Sequence, residues 1–262
     1  MEKQVEKPIE ENSSDFAVEI AGLKKSFGEQ NVLDGVDLHL KKGENLVVMG
    51  KSGTGKSVLI KCMVRLLEAD EGKILILGKN VPELDEKELN EVRKHIGFLF
   101  QGAALYDSMT VKENLKFPLR DSVKMKDSEK EKLVEEALEA VGLKEAIHKM
   151  PAELSGGMKK RIGLARTIIL KPDIILYDEP TTGLDPITAR EISELISTLQ
   201  REQKTSSIII THDIECAHIT GNRIVLLKDG KVATEGTFDE LAASDDEWVR
   251  SFFNMQHTTK NS

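Results

Sequence analysis

Residues 50–57 constrain this chain more than any other stretch. Gly50, Lys51, Ser52, Gly53, Thr54, Gly55, Lys56 and Ser57 follow the apolar run Leu46, Val47, Val48, Met49 and precede the helix-compatible Val58, Leu59, Ile60, Lys61. Strand, glycine-rich loop and helix N-terminus, in that order, are what a phosphate-cradling loop needs. The glycines let successive backbone N–H groups turn inward on an anion, and the helix dipole favours its charge. Lys56 has the reach for the β- and γ-phosphates, and Ser57 offers a hydroxyl to Mg²⁺. A chance glycine-rich turn is the competing reading, and the flanking strand and helix argue against it. The implied ligand is a nucleotide.

Composition narrows the rest. The 262 residues suffice for one large domain or two small ones, and a formal net charge of −8 gives no footprint for nucleic acid. Cys62 and Cys216 stand far apart with no metal-ligand spacing, which suits a reducing compartment. No apolar run approaches the length that spans a bilayer. Residues 1–15 are polar and charged and read as a flexible lead-in; residues 254–262 read as a loose tail.

The first third alternates short β-like runs (16–20, 32–40, 73–78) with turns, suiting antiparallel strands. The middle third is helical. Ser128 with Glu131 has the spacing of a capping box, Leu133, Val134, Ala137, Leu138 and Val141 recur at helical period, and Gly142 closes the pattern. The last third returns to apolar runs, 173–177 and 207–211, separated by helical residues 187–199. Asp229 and Gly230 read as a hairpin turn. The expectation is one α/β unit over residues 16–253 with an inserted helical lobe at about 83–165.

Further residues bear on chemistry. The apolar run 174–177 ends in Asp178 and Glu179. Beside a phosphate loop, Asp178 suits a metal and Glu179 a water-activating base, although paired acids at a strand end also serve as plain turn formers. Ser155, Gly156 and Gly157 open another helix. They read as an N-cap, or as a second anion site about 100 residues from the first, which points to an ATP held between two copies of the chain. His212 ends the next strand, where it can sense the γ-phosphate or merely satisfy a structural contact. Gln101 can touch metal or water, and Phe27 can stack on an adenine or plug the strand layer.

In this order the segments resemble the ATP-binding-cassette (ABC) ATPases across about residues 16–245. The resemblance implies a P-loop NTPase core, a mixed sheet with helices on both faces, together with an antiparallel β subdomain and a helical subdomain. It gives Walker A at 50–57 with Val58 following, a Q-loop at Gln101 and a signature at 154–158. Walker B lies at 174–178, with Glu179 as general base. A D-loop at 183–185, a switch histidine at His212 and a stacking aromatic at Phe27 complete the set. Ser57, Gln101 and Asp178 would serve Mg²⁺. Two copies would meet head to tail, with Ser155, Gly156 and Gly157 of one closing on the ATP held by Lys56 of the other.

Residues 99–111 with Asn114 and 117–120, together with Val58 and Met158, are similar to the Mla/Mce-associated ATPases of phospholipid transport between membranes. That similarity implies a homodimer on the inner face of the cell membrane, a polytopic permease and an MCE-domain lipid-binding protein. An exposed-looking patch at Leu105, Tyr106 and Met109 is the expected permease socket. The alternative within transporters is an ATPase for amino-acid, metal or lipoprotein cargo. An SMC-type ATPase would need a long coiled coil between residues 57 and 155. A ribosomal factor would ordinarily carry two cassettes and a basic linker.

Overall fold

The computed structural model describes residues 15–120 and 125–253. The expected lead-in and tail fall almost wholly on 1–14 and 254–262, outside the described residues.

Ten strands and nine α-helices occur among the described residues. β1 (Phe16–Phe27), β2 (Gln30–Lys41), β4 (Glu71–Ile76) and β5 (Lys79–Asn80) form an antiparallel sheet in the order β2-β1-β4-β5. Here the first strand runs seven residues beyond the expected end at Ile20, because register shifts after Ile20 and Lys25 let it bend and keep pairing with β2.

The second sheet has six strands in the order β10-β9-β3-β8-β7-β6. These are β3 (Asn45–Gly50), β6 (Ile96–Leu99), β7 (Ile174–Asp178), β8 (Ser206–Ile210), β9 (Arg223–Lys228) and β10 (Lys231–Gly236). The five strands from β9 to β6 are parallel, and β10 is an antiparallel edge reached through the Asp229–Gly230 hairpin. Both faces are buried, which explains the uninterrupted apolar runs. Val47 and Met49 of β3, Ile175 and Tyr177 of β7 and Ile209 of β8 enter one core. Their neighbours Leu46, Val48, Ile174, Leu176, Ile208 and Ile210 enter the other, shared with the antiparallel sheet.

Helix α1 (Lys56–Met63) follows β3, and α2 (Glu86–Arg93) precedes β6. Leu89 and Val92 of α2 pack into the antiparallel-sheet core, and β6 is an edge of the main sheet. Between β6 and β7 lie α3 (Val111–Lys116), α4 (Asp127–Ala140) and α5 (Gly156–Ile168). The expected Ser128–Glu131 box does not form. The helix begins at Asp127, the Glu129 carboxylate accepts from the Lys126 N–H at 2.7 Å, and Glu131 is engaged instead by Lys112 at 2.7 Å. Helix α6 (Pro186–Gln203) follows β7, and α7 (Ile214–Thr220) follows β8. α8 (Phe238–Ala242) and α9 (Glu247–Phe253) close the described chain. Cys62 and Cys216 are both free and buried. No described helix is long and apolar enough to cross a membrane.

Candidate functional site

Four parallel strands deliver their carboxyl ends to one edge of the sheet, where ligands of open α/β sheets sit. β3 ends in the glycine loop, β8 in Thr211 and His212, β7 in Asp178 and Glu179, and β6 just before Gln101. Two backbone bonds continue the ladder past the strands: the Glu179 N–H donates to the Ile210 carbonyl at 2.9 Å, and the Thr211 N–H to the Val48 carbonyl at 3.3 Å. The loops are thereby held to one another.

Sequence dictates the loop's shape. A β-carbon on Gly50 would stand 2.6 Å from the Leu227 carbonyl oxygen, since β9 pairs with β3 up to that residue. Gly55 has φ +91°, and a β-carbon there would meet the Val32 carbonyl at 2.7 Å. Only glycine meets both demands without displacing backbone. Within the loop, Lys56 Nζ donates to the Gly50 and Lys51 carbonyls at 3.0 and 3.1 Å, and Thr54 Oγ1 donates to Lys51 O. Lys56 is buried. Desolvation lowers its pKa, opposed by the Glu179 and Asp178 carboxylates. A partly desolvated ammonium at the mouth of a helix is poised to take a phosphate oxygen in place of its carbonyl partners.

Ser57 Oγ donates to Asp178 Oδ1 at 2.7 Å. The Glu179 carboxylate is largely buried, and its Oε2 accepts from His212 Nδ1 at 2.8 Å and from Thr182 Oγ1 at 3.1 Å. Glu179 has φ +51°, a left-handed backbone that a non-glycine residue keeps only where its surroundings hold it. A cavity of about 660 Å³ gathers Gly50, Lys51, Ser52, Gly53, Gly55, Lys56, Ser57 and Val58 with Gln101, Glu179 and His212. A phosphate-binding loop, the Ser57 hydroxyl and a carboxylate–histidine pair thus share one space.

Other expected residues lie outside it. Thr54 and Asp178 stand behind the wall, bonded to Lys51 and Ser57. Phe27 is 48% exposed at the end of β1 with Lys25 Nζ 5.5 Å from its ring, while Val32 takes the place beside the loop. Ser155, Gly156 and Gly157 sit at the start of α5, away from the cavity. The Ser155 hydroxyl caps the helix by accepting from the Met158 N–H at 3.2 Å, and Ser155 and Gly156 are exposed. Ile214 and Phe252 also line the cavity and were not foreseen, because neither belongs to a phosphate-directed motif.

The oxygen donors at Ser57, Asp178 and Gln101 are chemically suited to a hard divalent cation such as Mg²⁺. No cluster of three or more His, Cys, Asp or Glu side chains fit for a metal exists among the described residues. A cation here would therefore rely on phosphate oxygens as well.

The sequence profile of the ABC transporter family matches residues 33–182. The probable ribonucleotide transport ATP-binding protein mkl of Mycobacterium leprae is 42% identical over 91% of this chain and 69% of its own length. The Mycobacterium tuberculosis mkl protein is covered over 66%, so the chain spans about two thirds of those relatives. The intermembrane phospholipid transport system ATP-binding protein MlaF of Haemophilus influenzae is 39% identical over 90% of this chain and 89% of its own. Among solved structures, the dimeric post-hydrolysis state of the ATP-binding cassette MJ0796, bound to ADP and Pi, has a TM-score of 0.77 and 34% identity. It covers 84% of this chain and 98% of that one.

Proposed function

The chain belongs to the ABC transporter family as an ATP-binding, ATP-hydrolysing protein, and on that premise we propose that it powers phospholipid transport between membranes. The observation that carries the catalytic part is the convergence of Lys56, Ser57 and the Glu179–His212 pair on one cavity, with Asp178 bonded to Ser57 just behind its wall.

In this reading the 50–57 loop binds the β- and γ-phosphates through its N–H groups and Lys56. Ser57, Asp178 and Gln101 would hold Mg²⁺, which would neutralise charge on the transferring phosphoryl group. Glu179 is the general base. Its Oε2 is taken by His212 and Thr182, which leaves Oε1 to accept a proton from the attacking water. His212 holds the carboxylate in place. Ser155 and Gly156 are exposed, and none of Ser155, Gly156 and Gly157 lines its own copy's cavity; in this reading the turn closes on the nucleotide of a second copy. The chain works as a homodimer at the inner face of the membrane.

Cargo is set by partners, here a polytopic permease and an MCE-domain lipid-binding protein. The similarity to MlaF over nearly the whole of both chains supports phospholipid, as does the 99–120 segment. The mkl proteins carry a different cargo in their name, and cassettes for other cargoes share the same ATP chemistry. The test is isolation of the native complex in mild detergent, then reconstitution with fluorescent phospholipid in donor vesicles. ATP-dependent lipid transfer is the expected result. A complex that moves an amino acid or a metal and ignores lipid overturns the cargo while leaving the ATPase intact.

A further inference from the structure

One face of α5 grips the loop after β6. At Gly163 the helix approaches so closely that a β-carbon would stand 2.9 Å from Leu99 Cδ1 and 3.0 Å from Ala103 Cβ. Further along, the Arg166 guanidinium donates to the Ala103 carbonyl at 2.9 Å. One turn earlier, Lys160 Nζ donates to the Gln101 carbonyl. Residues 160, 163 and 166–167 share this face by helical spacing. The gripped loop includes Ala103 and Ala104 at φ +60° and +47°, backbone that needs holding.

Lys160 does something its neighbours on that face do not. Its ammonium also donates to the Glu179 carbonyl at 3.1 Å, so it touches the ends of both β6 and β7. It is 5% exposed, and burial pushes its pKa down against the pull of the Glu179 and Asp178 carboxylates. Burying a cation is costly unless its donors are used. Here two carbonyls use them, and each belongs to a residue whose side chain lines the nucleotide cavity. One of the two, Glu179, sits at φ +51°.

We propose that Lys160 is a positioning residue for hydrolysis: its ammonium ties the backbone of Gln101 and of Glu179 to the helix that begins at the serine–glycine turn. Movement of α5 is then passed to the base and to Gln101 together. The proposal rests on Glu179 being the base.

The test uses the full-length protein and four variants, Lys160→Met, Lys160→Arg, Arg166→Met and Glu179→Gln. Turnover, KM for ATP, affinity for a fluorescent ATP analogue, and amide hydrogen exchange are the readouts. For Lys160→Met, kcat should fall about tenfold or more, as misplaced catalytic groups do, with KM and affinity unchanged within error. Lys160→Arg, whose fork can again serve two carbonyls, should recover most of that loss. Exchange should quicken at 100–104 and 178–183 together in Lys160→Met, but at 100–104 alone in Arg166→Met. Should Lys160→Met fail to fold, Lys160→Ala, which can donate to neither carbonyl and adds no bulk, carries the comparison. Full turnover in the neutral variant, equal losses in Lys160→Met and Arg166→Met, or no rescue by arginine overturns the proposal. If Glu179→Gln turns over normally, the base assignment falls first. If it is inactive while Lys160→Met is unimpaired, only the role of the lysine falls.

Discussion

Around Lys56, the helix N-terminus faces inward: its lysine is buried, Gly50 and Gly55 are pressed against β9 and Val32, and its serine is bonded across to Asp178. Around Ser155, a second helix N-terminus faces outward: the hydroxyl serves only its own helix, and Ile187 on the adjoining segment is 74% exposed. Both ends have the dipole and the bare amides that suit phosphate. The first is finished within one copy, whereas the second presents a half-built surface. On the proposed function, the difference would be that of one site divided between two chains, with chemistry on the inward half and a closing surface on the outward half.

The largest expected effect comes from disabling the inward half after binding. Glu179→Gln keeps the shape and the Thr182 contact but removes the base, so phosphate release should drop by about 10²–10⁴-fold. ATP affinity should persist, and light scattering with ATP and Mg²⁺ should show a stable dimer. A variant that stays monomeric under those conditions breaks the two-chain account.

A mixing experiment sharpens it. Lys56→Ala and Ser155→Ala damage opposite halves, so each alone should be nearly inactive. In an equimolar mixture half the dimers are mixed and each of those has one intact site of two, which restores roughly a quarter of wild-type turnover. A mixture no better than its parts would mean that both residues serve the same copy.

Much of the inward half was legible in the sequence because its geometry is local. The glycine spacing between an apolar run and a helix start is a local pattern, although the contacts that demand glycine at Gly50 and Gly55 come from Leu227 and Val32, and the short apolar runs suit strands buried on both faces. The Asp178–Glu179 pair was readable for the same reason, as the end of such a run. Lys160 was not readable. It sits in the basic run Lys159, Lys160, Arg161, and only the packing of Gly163 on Leu99 and Ala103 decides that the middle one is buried. Its spacing from Gly163 was the available signal. The cap of α4 failed for a related reason: Ser128 and Glu131 had the right spacing, but Glu131 pairs with Lys112 on another helix. Phe252 reaches the cavity from a helix some 200 residues downstream of the loop, a distance that no local pattern reports.

The glycines offer a smaller and more local contrast. Gly55→Ala adds a clash with the Val32 backbone to an unfavourable φ, and should cost about 3 kcal/mol of stability together with loss of ATP binding. Gly53→Ala, at φ +82° with open space around it, meets only the backbone penalty, about 1 kcal/mol. Denaturant melts of the two variants compare them directly. Equal losses would mean that backbone conformation, not the approach of Val32, selects glycine at Gly55.

Ser155→Ala, measured on the protein alone without ATP, should have an effect no larger than that of Gly53→Ala. The hydroxyl accepts a single bond, from the Met158 N–H, so its loss should cost about 1 kcal/mol, as for other helix N-caps. Nucleotide affinity of the unpaired protein should not change, because Ser155 lies outside the cavity that holds Lys56. Turnover should nonetheless fall if, as proposed, the turn meets phosphate when a second copy closes over it. That separation, with stability nearly kept, monomer affinity kept and turnover lost, is the pattern that an outward-facing half-site demands. If affinity in the monomer fell in step with turnover, Ser155 would have to act within its own chain, and the distinction between the two helix ends would disappear.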